Sequence, residues 1–277
     1  MNLNDITKMY DFSGKTVAIT GGAGILGGDM ACALAELNAN VAILDLKIEP
    51  AQRLLPRMQQ GKGKHILVET NVLDVNSLRQ AAERIEKELG PIDILINGAG
   101  GNKPAATTNK DQSFFDISPD ALKWVFDLNL VGTILPSQVF GKKMAERGEG
   151  CILNISSMSA YLPLTRIPAY STAKAGVTNF TQWLAVHMAQ EYSAKIRVNA
   201  IAPGFLITTQ NRFLLTDEKT GELTQRGQQV IYKTPMKRFG NPEDLIGTVL
   251  FLLSPAAEFI TGIVIPIDGG FSAFSGV

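Results

Sequence analysis

Tyr170-Ser171-Thr172-Ala173-Lys174 sets a phenol and an ammonium four residues apart. On a helix these side chains lie one above the other on the same face. A neighbouring ammonium favours phenolate, so Lys174 is expected to lower the pKa of Tyr170 toward the working pH, as proton transfer requires. Thirteen residues before Tyr170 stands Ser157, at the end of an apolar, strand-like run. A hydroxyl there can hydrogen-bond a carbonyl oxygen. A Tyr and a Lys at this spacing occur by chance on many helices, and a Ser at a strand end is commoner still. The three gain meaning only beside a second signal earlier in the chain.

That signal is Gly22-Ala23-Gly24-Ile25-Leu26-Gly27, a GxGxxG turn that follows a strand-like run and opens a helical one. The glycines allow a tight turn and close backbone approach to a pyrophosphate, and the helix N-terminus offers unpaired N–H groups. Any tight turn can carry glycines, so the context decides. The next strand ends at Asp45, 18 residues after Gly27. A carboxylate there can accept hydrogen bonds from a ribose diol and would repel a 2′-phosphate, which favours NAD over NADP. Leu46 follows with no cation, and Lys47 reads as a solvated loop residue. Asn97-Gly98-Ala99-Gly100 closes a fourth strand, and its glycines let the backbone pass close to a ribose.

The elements that must position these residues alternate. Strands are expected at Lys15–Thr20, Asn40–Asp45, His65–Glu69, Ile92–Asn97, Cys151–Ser156, Ile196–Ala200 and Ile263–Ile267. Between them lie an amphipathic helix through Met30–Leu37, a helix containing Arg53-Leu54-Leu55, and one capped by Asp74 and running to Leu89. The strands are near-continuous apolar runs, as a parallel sheet covered on both faces requires. The expected fold is α/β: a single Rossmann-type, doubly wound, parallel seven-stranded sheet with helices on both faces. Residues 1–277 read as one domain, with Gly204–Pro235 a polar, lid-like insertion.

Composition bounds the partners. The 277 residues are 45% hydrophobic and 19% charged, enough apolar material for a full core. The 26 basic and 26 acidic residues cancel, so no positive field exists to attract a nucleic acid. No apolar run reaches membrane-spanning length, and Met1–Ser13 lacks the apolar stretch of a secretory signal. Cys32 and Cys151 have no metal or CxxC spacing and read as buried, reduced thiols. A soluble, cytoplasmic protein without a metal is expected.

Taken together, Thr20-Gly21 with its glycine turn, Asn97-Gly98-Ala99-Gly100, Ser157, Tyr170-x-x-x-Lys174 and Pro203-Gly204 resemble the short-chain dehydrogenase/reductase pattern, in order and spacing, from about Phe12 to the C-terminus. The resemblance implies that Tyr170 is the general acid/base. It also implies that Lys174 binds the nicotinamide ribose and lowers the Tyr170 pKa, and that Ser157 polarises the substrate carbonyl. Asn129, in Phe126-Asp127-Leu128-Asn129, matches the family's proton-relay asparagine, and Thr208 resembles the residue that holds the carboxamide. The implied cofactor contacts are Gly21, Gly22, Gly24, Ile25, Leu26, Gly27, Asp45, Asn71, Val72, Asn97, Gly98, Ala99, Gly100, Tyr170, Lys174, Pro203, Gly204 and Thr208. Two positions depart from the pattern: Ile25 stands at the middle glycine, and Asn71 replaces the aspartate near the adenine.

A closer resemblance, within that family, is to the D-mannonate oxidoreductases or fructuronate reductases. It rests on Gly100–Pro104, Ser113–Asp116, Leu135–Phe140, Ile201–Phe205, Gln210-Asn211-Arg212 and Phe271-Ser272-Ala273. It implies interconversion of D-mannonate and D-fructuronate in hexuronate catabolism, by a homotetramer with helices such as Thr178–Ala189 at its interfaces. Lys103, Arg166 and Arg212 are then the candidate cations for the substrate carboxylate, since an arginine fork can hold one through two hydrogen bonds. Other readings are a polyol or keto-acid dehydrogenase such as gluconate 5-dehydrogenase, or a 3-oxoacyl carrier-protein reductase, which the balanced charge disfavours. A non-catalytic NAD-binding protein need not keep Ser157, Tyr170 and Lys174 together.

Overall fold

Residues 2–208, 212–217 and 220–276 are described by the computed structural model. Seven strands form one sheet: β1 (Thr16–Thr20), β2 (Asn40–Asp45), β3 (His65–Glu69), β4 (Ile92–Asn97), β5 (Gly150–Ile155), β6 (Ile196–Pro203) and β7 (Val264–Ile267). Their order is β3-β2-β1-β4-β5-β6-β7, and every neighbouring pair is parallel. The expected doubly wound sheet is therefore present, with β6 three residues longer than its sequence suggests. Strand order reverses between β1 and β4, so the crevice for a ligand opens at the carboxyl ends of these two strands.

Burial explains the unbroken apolar runs. Val17 and Ile19 face one layer, with Met30 and Leu34 of α2 (Ile25–Glu36) and Val249 and Leu252 of α10 (Ile246–Leu253). Ala18 faces the other, with Leu78 and Ile85 of α4 (Val75–Leu89), Phe140 and Met144 of α6 (Gly132–Arg147), and Leu184 and Met188 of α7 (Pro168–Glu191). The α2 helix departs from the amphipathic reading: Met30 through Ala35 are all buried, because α3 and α10 pack against it while it lies on the sheet. Asp74 caps α4 as its sequence implies, accepting from Asn76 N at 2.8 Å. The helix around Arg53 is instead a 3₁₀ turn, Glu49–Leu54, followed by the short α3 (Leu55–Met58).

The stretch between β4 and β5 carries a feature that periodicity does not reveal. Helix α5 (Pro119–Phe126), capped by Ser118, runs through a π turn, Asp127–Val131, directly into α6. Pro136 lies inside α6 and reads in sequence as a breaker. The segment after β6 contains no strand among its described residues. It forms α8 (Arg212–Leu215), an isolated bridge between Thr216 and Leu223, and α9 (Gln225–Lys233), and it rejoins the body where Leu206 bridges Gly240. Of the Gln210-Asn211-Arg212 motif, Gln210 and Asn211 lie outside the described residues.

A ladder of buried amides and hydroxyls ties the helices to the sheet. Asn97 and Asn154 are register partners at the ends of β4 and β5. Asn97 Nδ2 donates to Asn154 Oδ1 at 2.8 Å and to Ser137 Oγ at 2.9 Å. Ser137 Oγ donates to Thr133 O at 2.8 Å, and Thr133 Oγ1 donates to Asn129 O at 2.9 Å. On the other side Asn154 Nδ2 donates to Thr181 Oγ1 of α7 at 2.9 Å. All of these side chains are buried. Truncating Asn97 strands an acceptor on Asn154, and stranded buried polar groups cost about 1–3 kcal/mol. Asn97→Ala is expected to lower the unfolding free energy by about that amount. Urea unfolding followed by tryptophan fluorescence checks it, and an unchanged midpoint contradicts it.

Candidate active site

The turn after β1 is packed against the turn after β4. Gly21 adopts φ +65°, and a Cβ there would lie 2.7 Å from Ala99 N. Thr20 Oγ1 accepts from Gly98 N at 3.2 Å and Ala99 N at 3.3 Å, pinning the two strand ends together. A Cβ on Gly27 would fall 2.5 Å from Gly21 O, so α2 starts directly on the turn. Gly24 is the N-cap of α2 and supplies no side-chain cap. The first N–H groups of that helix, on Ile25, Leu26 and Gly27, are thus free of helical partners and can hold an anion. Ile25, at the family's middle glycine, begins the helix without disturbing the turn. Asp45 accepts from Ala23 N at 3.1 Å through one carboxylate oxygen, and its second oxygen remains available to a diol. This donor and acceptor set fits a dinucleotide.

The catalytic candidates converge at the neighbouring strand ends. Ser157 follows β5 and accepts from Ser159 N at 3.2 Å through Oγ, which leaves its hydroxyl proton free. Tyr170 lies in the first turn of α7, with the Ser157 hydroxyl near enough to its phenol to favour the phenolate. Lys174, one turn on, is 4% exposed, with Nζ 5.7 Å from the centre of the Tyr170 ring. Its ammonium donates to Ile155 O at 2.7 Å. Asn129 sits in the π turn, and its Nδ2 donates to Val125 O at 2.8 Å and Gly101 O at 2.7 Å. The relay candidate and the lysine head meet at Gly100: a Cβ there would lie 2.8 Å from Asn129 Oδ1 and 3.3 Å from Lys174 Nζ. A glycine at this position makes the room in which the two groups come together.

A family model of short-chain dehydrogenase type, described as enoyl-(acyl carrier protein) reductase, matches residues 22–272. The chain belongs to the short-chain dehydrogenase/reductase family. It is 47% identical to the uncharacterized oxidoreductase UxuB of Bacillus subtilis, over 96% of this chain and 98% of that one. It is 32% identical to the 5-keto-D-gluconate 5-reductase of Escherichia coli K12, with 96% and 98% covered. Among solved structures, an NAD-bound Haemophilus influenzae protein superposes with a TM-score of 0.91 at 44% identity, covering 98% of this chain and 100% of that one. Its assignment as a D-mannonate oxidoreductase is provisional. This dehydrogenase is therefore an oxidoreductase, with the fold of its relatives.

Electrostatics in the dehydrogenase differ from the sequence expectation at one point. Burial pushes the Tyr170 phenol above its ordinary value, and the Ser157 hydrogen bond offsets only part of that rise. The Lys174 ammonium, 5.7 Å from the centre of the phenol ring, donates to Ile155 O. Burial acts on the lysine too and brings it down to about 8. A lysine so placed exchanges protons near neutral pH.

Other candidates are distributed unevenly. Pro203 ends β6, and Gly204 packs so closely on Asp268 that a Cβ would lie 2.6 Å from Asp268 Cα. Thr208 is half-buried beyond it, and its carbonyl accepts from Arg212 N at 3.0 Å. Val72 packs beside Gly132, whereas Asn71 Oδ1 accepts from Leu73 N at 3.0 Å within its own turn. Asn97, offered in sequence as a cofactor contact, donates through Nδ2 within the sheet, and its Oδ1 is buried with no partner among the described residues. Lys103 stands 5.0 Å above the Trp124 ring. Arg212 heads α8 with its side chain in solvent. Arg166 occupies left-handed backbone, φ +75°, and its carbonyl accepts from Thr108 N at 2.9 Å. A fourth cation, Arg226 in α9, lies within the electrostatic reach of Arg166. It is inconspicuous in sequence, since a lone arginine in a polar segment reads as surface.

The buried lysine gives a pH test. The folded-state pKa of Lys174, about 8, lies below its ordinary 10.5, so the unfolded chain binds more protons between these values and stability rises with pH across that window. Lys174→Met removes this dependence. Measured by urea unfolding at pH 7 and pH 9.5, the parent should gain roughly 2 kcal/mol on the variant over that interval. A constant difference contradicts a depressed lysine.

Proposed function

We propose that this dehydrogenase uses NAD(H) to interconvert a sugar acid and its keto form, with D-mannonate and D-fructuronate the favoured pair. The observation that carries the oxidoreductase chemistry is Lys174 Nζ beside the Tyr170 ring, with Asn129 meeting it at Gly100 and Ser157 near the phenol. In the reducing direction the Ser157 hydroxyl donates a hydrogen bond to the substrate carbonyl oxygen. Tyr170 Oη gives its proton to the same oxygen as the carbonyl carbon is reduced. The nicotinamide, when bound, supplies the hydride. Lys174, at about 8, returns a proton toward Tyr170, and Asn129 in its π turn lines the path from solvent. The open N–H groups of Ile25, Leu26 and Gly27 would hold the pyrophosphate and Asp45 the adenosine ribose, with Thr208 at the carboxamide.

The substrate class rests on likeness to the H. influenzae structure, over nearly the whole chain. The 5-keto-D-gluconate 5-reductase, similar over 96% of this chain, supports a keto-gluconate as the second reading. Segment 204–235 serves as a lid over the substrate within one domain, its helices α8 and α9 standing apart from the sheet. An oligomer, by family a tetramer, has a ready face on α7, where Trp183, 58% exposed, stacks on His187 at 4.7 Å and Val186 is also exposed. Two buried, unpaired cysteines accord with a cytoplasmic location.

Two measurements test this. NADH oxidation with D-fructuronate, 5-keto-D-gluconate and D-fructose should give the highest kcat/KM for a keto acid, and NADH should outperform NADPH. Asp45→Ala should narrow that cofactor preference. Equal turnover of the uncharged ketose moves the assignment to a polyol dehydrogenase, and a preference for NADPH removes Asp45 from the cofactor argument. Tyr170→Phe should cut kcat by about 10²–10⁴-fold, the usual worth of a general acid, with NADH still bound. Near-parental turnover excludes the phenol as proton donor.

A further inference from the structure

Lys174 is gripped at both ends of its length by two consecutive residues at the end of β5. Its ammonium donates to Ile155 O at 2.7 Å, and its own carbonyl accepts from Ser156 Oγ at 3.1 Å. Ser156 is a fixed post: it is buried, and its N–H donates to Ile201 O of β6 at 2.8 Å. The same hydroxyl meets Thr178 Oγ1 at 2.7 Å. A carbonyl can only accept, so the one proton on Ser156 Oγ goes to Lys174 O, and Thr178 supplies the proton of the shorter contact. Thr172 and Thr181, on the same helix, turn their hydroxyls back on the carbonyls four residues earlier. The carbonyl four residues before Thr178 is that of Lys174, and there Ser156 stands between the two.

We propose that Ser156 is a positioning residue for the reaction: with Thr178 it holds the Lys174 turn of α7 in register with the strand end that carries Ser157. The proposal rests on the reading of Ser157, Tyr170 and Lys174 as the reacting set. These three come from two elements, Ser157 from the stretch after β5 and the other two from α7. Lys174, Thr178 and Thr181 form one polar stripe on that helix, at i, i+4 and i+7. Thr181 accepts from Asn154 at 2.9 Å, but it lies two turns from Lys174 and three from Tyr170. The helix start has no side-chain cap, since Ile167 occupies the N-cap. Ser156 supplies a tie at the turn that reacts.

What the tie does follows from the geometry of proton transfer. The Ser157 hydroxyl and the Tyr170 phenol must reach one substrate oxygen together, and a misplacement of about 1 Å can cost about 100-fold in rate. Ser156 precedes Ser157 in the chain, so its bond to α7 passes the position of the strand end to the helix. Releasing it leaves every reacting group present and loosens their mutual placement. The lysine responds as well. With its carbonyl freed, the turn that aims the ammonium at Ile155 O gains freedom, and the charged head reaches water. Tyr170 is the titratable side chain beside it, 5.7 Å from Nζ to the ring centre.

Ser156→Ala, Thr178→Val and Thr178→Ser test this against the parent, by reduction of D-fructuronate and 5-keto-D-gluconate with NADH and by urea unfolding at pH 7 and pH 9.5. Ser156→Ala should lower kcat by about 10-fold and keep KM for NADH and the keto acid within about twofold. Thr178→Val keeps Ser156 but removes its donor and should fall between; Thr178→Ser should restore parental kcat. The gain in stability with pH that the buried lysine gives the parent should shrink in Ser156→Ala, because a lysine that reaches water returns toward its ordinary range. A hydroxyl that only added a hydrogen bond would lower stability equally at both pH values. Should Ser156→Ala not fold, Thr178→Val against Thr178→Ser decides on the same readouts. A pH gain that stays whole, or stability lost without any loss of kcat, overturns the proposal. The unfolding arm needs no substrate, so it decides the matter even where neither keto acid turns over. If Tyr170→Phe keeps parental turnover while the pH gain shrinks in Ser156→Ala, the proton-donor reading falls and the tie on Lys174 stands.

Discussion

The hydrogen bond between Asn97 and Asn154 joins two strands at the place where the sheet meets its crevice, and the helices that carry the chemistry hang from it. From Asn97 the contacts run through Ser137 and Thr133 to the carbonyl of Asn129, and from Asn154 to Thr181 on the helix of Tyr170 and Lys174. Buried polar groups in low dielectric are strong when satisfied and expensive when not. The ladder therefore sets α6 and α7 in register with the strand ends rather than letting them slide on apolar contacts alone. A π turn in the middle of this series of contacts is part of the same device. It interrupts regular helix bonding where Asn129 must turn both its amide and its carbonyl to other partners.

Close packing does the corresponding work for the cofactor side. Gly21, Gly27, Gly98 and Gly100 are sites where a methyl group would strike backbone or the reacting cluster. The turn after β1 thereby touches the turn after β4, and the start of α2 is left open toward the crevice. Pyrophosphate recognition and proton transfer are consequences of one contact between two strand ends, which a parallel sheet with reversed order at β1 and β4 makes unavoidable.

Burial gives the site its electrical character. It raises the tyrosine and lowers the lysine, without a direct ion pair between them. A lysine with a single carbonyl partner in a dry site weakens the fold and gains readiness to exchange a proton. The aromatic stack on α7, by contrast, is exposed in the single chain and adds nothing to the site.

Several things were legible in the chain before it was folded. The strand runs, the glycine turn, Asp45 at a strand end and the Tyr170–Lys174 spacing depend on neighbours within a few residues, or on burial on both faces, and so leave local marks in sequence. The parallel order follows from the same marks, since strand–helix–strand units admit few topologies. What tertiary structure alone decided has no such local trace. The π turn around Asn129 is hidden by Pro136 and by the absence of a period that distinguishes π from α. The Asn97 side chain faces the sheet because Asn154, 57 residues away, offers it a partner. Lys103 looks free until Trp124 lies beneath it. The pKa of Tyr170 follows the same rule: spacing puts an ammonium nearby, but only packing decides how deeply the phenol is buried, and burial raises it because low dielectric disfavours the charged form.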